Sequence, residues 1–188
     1  IYQHNTRCTR VRHDTKQGCV RNWLSALEYM NLKHKSPVII CEDDFLITEP
    51  FDLESLTQIY QSWGFISPYC SKVNANKPGW GPPKKANKWC GALFMWLSMP
   101  AQENILDNVD LFLWHAAHQT EEPKHLDYAI GQLLLNFNNY CHNPSLIQHI
   151  GTESTFEKNN CIKGLTLAAR QPAIWTSFFC YTTFQATT

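Results

Sequence analysis

Apolar residues along the chain recur with two periods. Val20, Trp23, Leu24, Leu27 and Met30 or Asn31 fall on one face of a helix that starts just after Gly18, while Arg21, Asn22 and Glu28 point elsewhere. The linker "NLKHKSP" then passes through Pro37 into "VIIC", an unbroken and largely β-branched run that predicts a strand buried on both faces, as in a parallel sheet. After Pro50 the helical period returns at Leu53, Leu56, Ile59 and Tyr60, with Asp52 as its N-cap, and "GFISPYC" reads as a short strand. The stretch "SKVNANKPGWGPPKKANKW" has no period and many Gly, Pro, Asn and Lys residues, so it predicts a long loop of the kind that usually carries function. "CGALFMWLS" predicts another strand, followed by a helix over about Pro100 to Val109. A further amphipathic helix carries Leu126, Ala129, Ile130, Leu133, Leu134 and Phe137, and "PSLIQHIG" predicts a late strand ending at Gly151. Without an internal repeat or low-complexity tract, alternating helices and buried strands mean an α/β fold with a mixed, mostly parallel sheet flanked by helices.

Composition narrows the classes. At 188 residues and 44% hydrophobic content, the chain suits a single domain with a substantial core, spanning residues 1–188. Sixteen basic residues balance sixteen acidic ones, so no long-range field draws the chain to nucleic acid or to an anionic membrane. No apolar run approaches the roughly 20 residues that span a bilayer, and the N-terminus lacks the layout of a signal peptide. The chain starts at Ile1 rather than Met, which leaves targeting open. Eight cysteines, at positions 8, 19, 41, 70, 90, 141, 161 and 180, lie far apart with no CxxC pair, which argues against structural zinc and for buried free thiols. "NPS" at Asn143 is no glycosylation acceptor, because of its proline, and no other N-x-S/T triplet occurs. The expected compartment is the cytoplasm, the alternative being a secretory lumen if an N-terminal anchor has been removed.

The candidate chemistry starts where "VIICEDDFLI" turns acidic. In open α/β sheets ligands bind beyond the carboxyl ends of the strands, which is where Glu42, Asp43 and Asp44 fall. Adjacent carboxylates repel, and their ionised forms coexist best around a cation or hydrogen-bond donors. Alternation puts Glu42 and Asp44 on one side and Asp43 on the other, a set suited to Mg²⁺ or Mn²⁺ bridging phosphates. A solvated turn that stops the strand is the plainer alternative. Asp127 begins a helix, where the dipole stabilises its charge, and serves equally as a general base; His125 is a neighbouring substitute. Gly91 allows close backbone approach or makes a tight turn. Trp80, in "KPGWGPP", offers a stacking face for a sugar or anchors its loop.

"QGCVRNWLSAL", a linker and "VIICEDD" together resemble the donor-binding half of GT-A type glycosyltransferases, nucleotide-sugar enzymes with a DxD-like motif at the end of a central strand. "WCGAL" resembles the family's glycine loop, "HLDYAIGQLL" the helix start that bears an acidic catalytic residue, and "PSLIQHIG" the late strand with a metal-binding histidine. The matches come in the family's order over roughly residues 17 to 151. The resemblance implies a GT-A-like fold and inverting transfer of a sugar from a nucleotide-sugar donor to a hydroxyl of a carbohydrate or glycoprotein. It makes Asp44 and His149 metal ligands, Asp127 the base, Gly18, Arg21, Asn22, Glu42, Asp43 and Gly91 donor-binding, and Trp80 acceptor-binding. An imidazole beside oxygen ligands favours Mn²⁺ over Mg²⁺. Only about forty residues precede the triplet, where the family calls for one or two further strand and helix units, so the expected fold is minimal or truncated at its N-terminus. A sugar-phosphate nucleotidyltransferase and a non-catalytic sugar-binding module are the competing classes.

Overall fold

A computed structural model of the chain describes residues 6–10, 19–42, 45–52, 55–56, 62–117, 125–150 and 178–182, the first and last of these segments as backbone. Asp43, Asp44, Gly18 and most of the helix expected after Pro50 lie outside the described residues; of that helix, Ser55 and Leu56 are helical, and the Ser55 hydroxyl donates to Asp52 Oδ2 at 2.5 Å.

In chain order the elements are β1 (Thr6–Arg10), α1 (Cys19–His34), β2 (Val38–Cys41), β3 (Phe45–Ile47), β4 (Trp63–Ser67), β5 (Gly79–Gly81), β6 (Phe94–Leu97), α2 (Met99–Asp107), α3 (Val109–Ala117), α4 (His125–Leu133), β7 (Asn138–Asn143), β8 (Ile147–His149) and β9 (Phe178–Thr182). Among the described residues the central sheet has the order β2-β6-β4-β7-β5, beside two-stranded sheets β1-β9 and β3-β8. Pairing is antiparallel for β2 with β6, β6 with β4 and β7 with β5, and parallel only for β4 with β7.

The fold is thus mixed α/β, but its sheet is mixed rather than mostly parallel, a correction to the expectation from "VIIC" and its like. Burial on both faces is what the apolar runs encode, and it does not depend on strand direction. β2, β4 and β6 are buried throughout, because helices cover one face and aromatic side chains with β8 cover the other. Val38, Ile40, Phe65, Met95 and Leu97 meet Leu27, Met30, Ile105, Ala129 and Ile130 from α1, α2 and α4. Ile39, Cys41, Ile66, Phe94 and Trp96 turn the other way, onto Leu56 and Ile147 with Phe45, Phe51 and Trp80 at the margin. Alternation along each strand delivers neighbouring residues to the two cores.

Local chemistry sets the helix ends. α1 carries Lys33 and His34 in its last turn, where cations suit the dipole, and stops at Lys35, whose φ of 45° is left-handed. Asn31 and Gln102, both buried, fasten this end to α2: Asn31 Nδ2 donates to Gln102 Oε1 at 3.4 Å, and Gln102 Nε2 donates to the carbonyls of Ser36 and Leu97. α2 opens on Ser98, whose hydroxyl accepts from Ala101 N at 3.3 Å, with Pro100 in the first turn where its missing N–H costs nothing. It ends two residues earlier than the periodicity predicts, and α3 follows at once.

The expected long loop is partly structured. It holds β5 at the sheet edge and a 3-10 turn at Ala86–Lys88. Asn74, fully buried, organises it: Oδ1 accepts from Cys90 N at 3.0 Å and from Ser71 Oγ at 2.8 Å, while Nδ2 donates to the Lys85 carbonyl at 3.1 Å. Among the described residues no helix is long and apolar enough to cross a membrane.

Candidate functional site at the carboxyl edge of the sheet

β2, β4 and β7 share one direction, so their carboxyl ends lie along one edge, where β6 begins. α1 leads into β2 and α4 into β7 through short connections, so both helices return across the sheet with their first turns toward that edge. Arg21, in the first turn of α1, is exposed, and Asn22 is half-buried. Glu42, just past β2, donates its backbone N–H to the Leu93 carbonyl at 3.0 Å, which ties the acidic triplet to the glycine segment before β6.

Asp127 is joined to that same segment. The N–H groups of Gly91 and Ala92 donate to its Oδ2 and Oδ1 at 3.0 and 2.9 Å, one to each carboxylate oxygen. Charge-assisted bonds of this kind are about twice as strong as neutral ones and fix the orientation of the carboxylate. Gly91, at φ 154°, has no room for a side chain: an added Cβ would stand 2.7 Å from Tyr69 Cδ1 and 3.0 Å from Trp89 Cζ2. The close approach that the glycine permits is therefore to the Tyr69 ring, and its amide serves Asp127.

Tyr69 was not singled out by the sequence, yet it links these groups. Burial pushes its phenol above the ordinary range, and Cys90, Asp127, Cys70 and Glu42 push it the same way. It stays protonated at neutral pH, able to donate a hydrogen bond. Only the strand-end position of "SPYC" pointed toward it.

His149 sits on the opposite face of the fold at the end of β8, where it is exposed. Its register partner is Phe45 on β3, the residue that follows Asp44 in sequence. Directly opposed residues in an antiparallel pair have Cα atoms about 4.5–5.5 Å apart, so the chain folds the predicted histidine back onto the strand that leaves the acidic triplet. Among the described residues no three His, Cys, Asp or Glu side chains converge to hold a metal ion, and Asp43 and Asp44 are not among those residues.

Trp80 lies on β5, half-buried, its ring 5.0 Å from that of His142 at an interplanar angle of 71°. Beside it opens a pocket of about 290 Å³, lined by Asn76, Lys77, Trp80, Gly81, Pro82, Cys141 and Asn143. β5 is three strands from β6 in the sheet order, so Trp80 lies on a different strand edge from the Gly91 segment that precedes β6. The fold therefore brings Glu42, Gly91 and Asp127 together, sets His149 beside the strand after the triplet, and leaves Trp80 apart. No family model, no curated protein and no solved structure matches the chain.

Proposed function

We propose that the chain is a metal-dependent glycosyltransferase that moves a sugar, with inversion, from a nucleotide-sugar donor to a hydroxyl of a carbohydrate or glycoprotein acceptor. The observation that supports this reading is the pairing of Phe45 with His149, which brings the backbone of the late strand alongside the residue next to Asp44, although the two strands are far apart in sequence. Asp44 and His149 would hold Mn²⁺ or Mg²⁺, the mixed nitrogen and oxygen donors favouring Mn²⁺. When bound, such an ion neutralises the charge that grows on the departing diphosphate. Glu42 and Asp43, with Gly18 and with Arg21 and Asn22 in the first turn of α1, surround the nucleotide and sugar. Asp127 takes the acceptor hydroxyl's proton as that oxygen attacks the anomeric carbon and the bond from this carbon to the diphosphate oxygen breaks. Its amide bonds to Gly91 and Ala92 hold it in place for that task, and a carboxylate offers about four acceptor sites in all. Trp80, beside its own pocket on β5, would bind the acceptor.

A second reading, a sugar-binding module without turnover, draws on the same amide bonds, since a carboxylate that clamps a loop has a structural use of its own. Calorimetry with nucleoside diphosphates and nucleotide sugars, with and without Mn²⁺, followed by a transfer assay, separates the two. Affinity that needs Mn²⁺, disappears in Asp44→Ala and leads to transfer supports the enzyme. Metal-independent affinity without turnover supports the module, and a panel in which no nucleotide binds sinks the glycosyltransferase reading.

A further inference from the structure

Cys70 and Cys141 are 71 positions apart in sequence, yet their Sγ atoms are 3.5 Å apart and share a hydrogen bond. The approach is built into the backbone. β4 and β7 pair in parallel with Ser67 beside Cys141, and the chain then turns back at Pro68 so that Cys70 returns to the same strand. Ser145 locks that return: its Oγ accepts from Cys70 N at 2.8 Å and donates to the Cys70 carbonyl at 2.9 Å. Pro68 is held as well, its carbonyl accepting from Leu146 N at 2.9 Å. Both side chains are free thiols, Cys141 buried and Cys70 half-buried. The pairing of distant cysteines recurs in β1 and β9, whose register sets Cys8 directly opposite Cys180.

We propose that Cys70 and Cys141 are a thiol pair built to close into a disulfide across β4 and β7, by exchange with a small-molecule disulfide such as oxidised glutathione. Cys70, the more accessible, attacks as thiolate one sulfur of the glutathione disulfide and expels one glutathione thiolate. The Cys141 thiolate then attacks Cys70 Sγ of the mixed disulfide and expels the second. The two protons released by the cysteines go to the two glutathiones; the cysteines lose two electrons and the glutathione disulfide gains them. Sγ atoms 3.5 Å apart must close to about 2.05 Å, a movement within reach of small side-chain rotations. The bond would join the segment that carries Tyr69 to the strand that lines the Trp80 pocket, so it would brace the carboxyl edge. The inference is independent of the glycosyltransferase reading.

The test takes the full chain, purified reduced, equilibrates it with oxidised glutathione, quenches with acid, alkylates the remaining thiols and maps the peptides by mass. The expected result is a peptide linking Cys70 to Cys141, with both positions protected from alkylation, and a thermal midpoint several degrees above that of the reduced chain. Cys70→Ser removes both the linked peptide and the rise. Full alkylation of Cys70 and Cys141 after oxidation overturns the proposal, as does a peptide that links either of them to Cys90.

Discussion

The helix-covered face of the sheet and its carboxyl edge are held by different forces. On the face, Phe65, Met95 and Leu97 are almost wholly buried among Leu27, Ile105 and Ile130, and no specific partner is needed beyond shape and apolarity. At the edge, order comes from a few directed bonds: Asn74 to Cys90, Asp127 to Gly91 and Ala92, Ser145 to Cys70. Apolar burial stabilises the face, while at the edge directed bonds keep polar groups paired where water is excluded. Substitutions on the two should therefore differ in what they damage as well as in how much.

The largest loss of stability belongs to the face. Phe65→Ala empties the space between the sheet and Trp89, whose ring centroid is 4.5 Å from that of Phe65, and should cost about 3–5 kcal/mol in denaturant unfolding. Asn74→Ala at the edge leaves the Cys90 N–H and the Lys85 carbonyl without their buried partner, a loss of about 1–3 kcal/mol. Its signature is local: amides of the 74–90 segment should exchange faster with solvent while those of β2 and β6 keep their protection. Equal loss of protection everywhere would mean that the loop and the core unfold as one unit, which erases the contrast.

Asp127→Asn comes next for stability and first for activity. The amide cannot accept at both ends, so its NH₂ confronts one of the two N–H groups that Asp127 now receives, which should cost about 1–2 kcal/mol. Under the proposed mechanism transfer falls by about 10²- to 10⁴-fold while donor affinity holds. Near-normal transfer by this variant removes Asp127 from the chemistry and leaves it as the clamp of the glycine segment.

The face was more legible in the sequence than the edge, for a physical reason. Burial against a helix writes a period, so α1 and α4 are legible from Trp23, Leu27 and Met30 or from Leu126, Ala129 and Ile130, while "VIIC" reads as a buried strand and "CGALFMWLS" as a strand. Strand direction left no mark, because residues enclosed on both sides look the same in either sense. α3 was missed since "VDLFLWHAA" is apolar nearly all round and shows no clear stripe. β5 is three residues, two of them glycine, too short for alternation. At the edge, Glu42, Gly91, Asp127 and His149 were named through motif order, but Tyr69, Asn74 and the Cys70–Cys141 pair depend on partners distant in sequence, which no local pattern records.

A smaller effect separates the edge from the face by pH. Burial pushes the Cys70 and Cys141 thiols above their ordinary value of 9.0. Above that value the unfolded chain loses these protons while the folded chain keeps them, so ν_U falls below ν_N and stability declines as pH rises. Tyr69, raised from 10.0, extends the decline upward. Urea midpoints of the reduced chain should fall between about pH 8 and pH 10.5, and the fall should shrink in Cys141→Ser and in the oxidised chain. An unchanged slope in the serine variant would assign the decline to other groups.

The smallest effect on stability should accompany the sharpest effect on ligand binding. His149 is exposed at the end of a three-residue strand, so His149→Ala opens no cavity in the core and should cost far less than Phe65→Ala in denaturant unfolding. If the imidazole holds the metal, the same substitution weakens Mn²⁺-dependent nucleotide binding, as measured by calorimetry, by at least the 10-fold that loss of even an outer-shell partner commonly costs. Gln148→Ala, one residue earlier on the same strand and also exposed, serves as the control for disturbance of the strand itself. Loss of binding in both variants would trace the effect to the β3-β8 pair as a whole, and loss in neither would detach His149 from the acidic triplet that its register places so near.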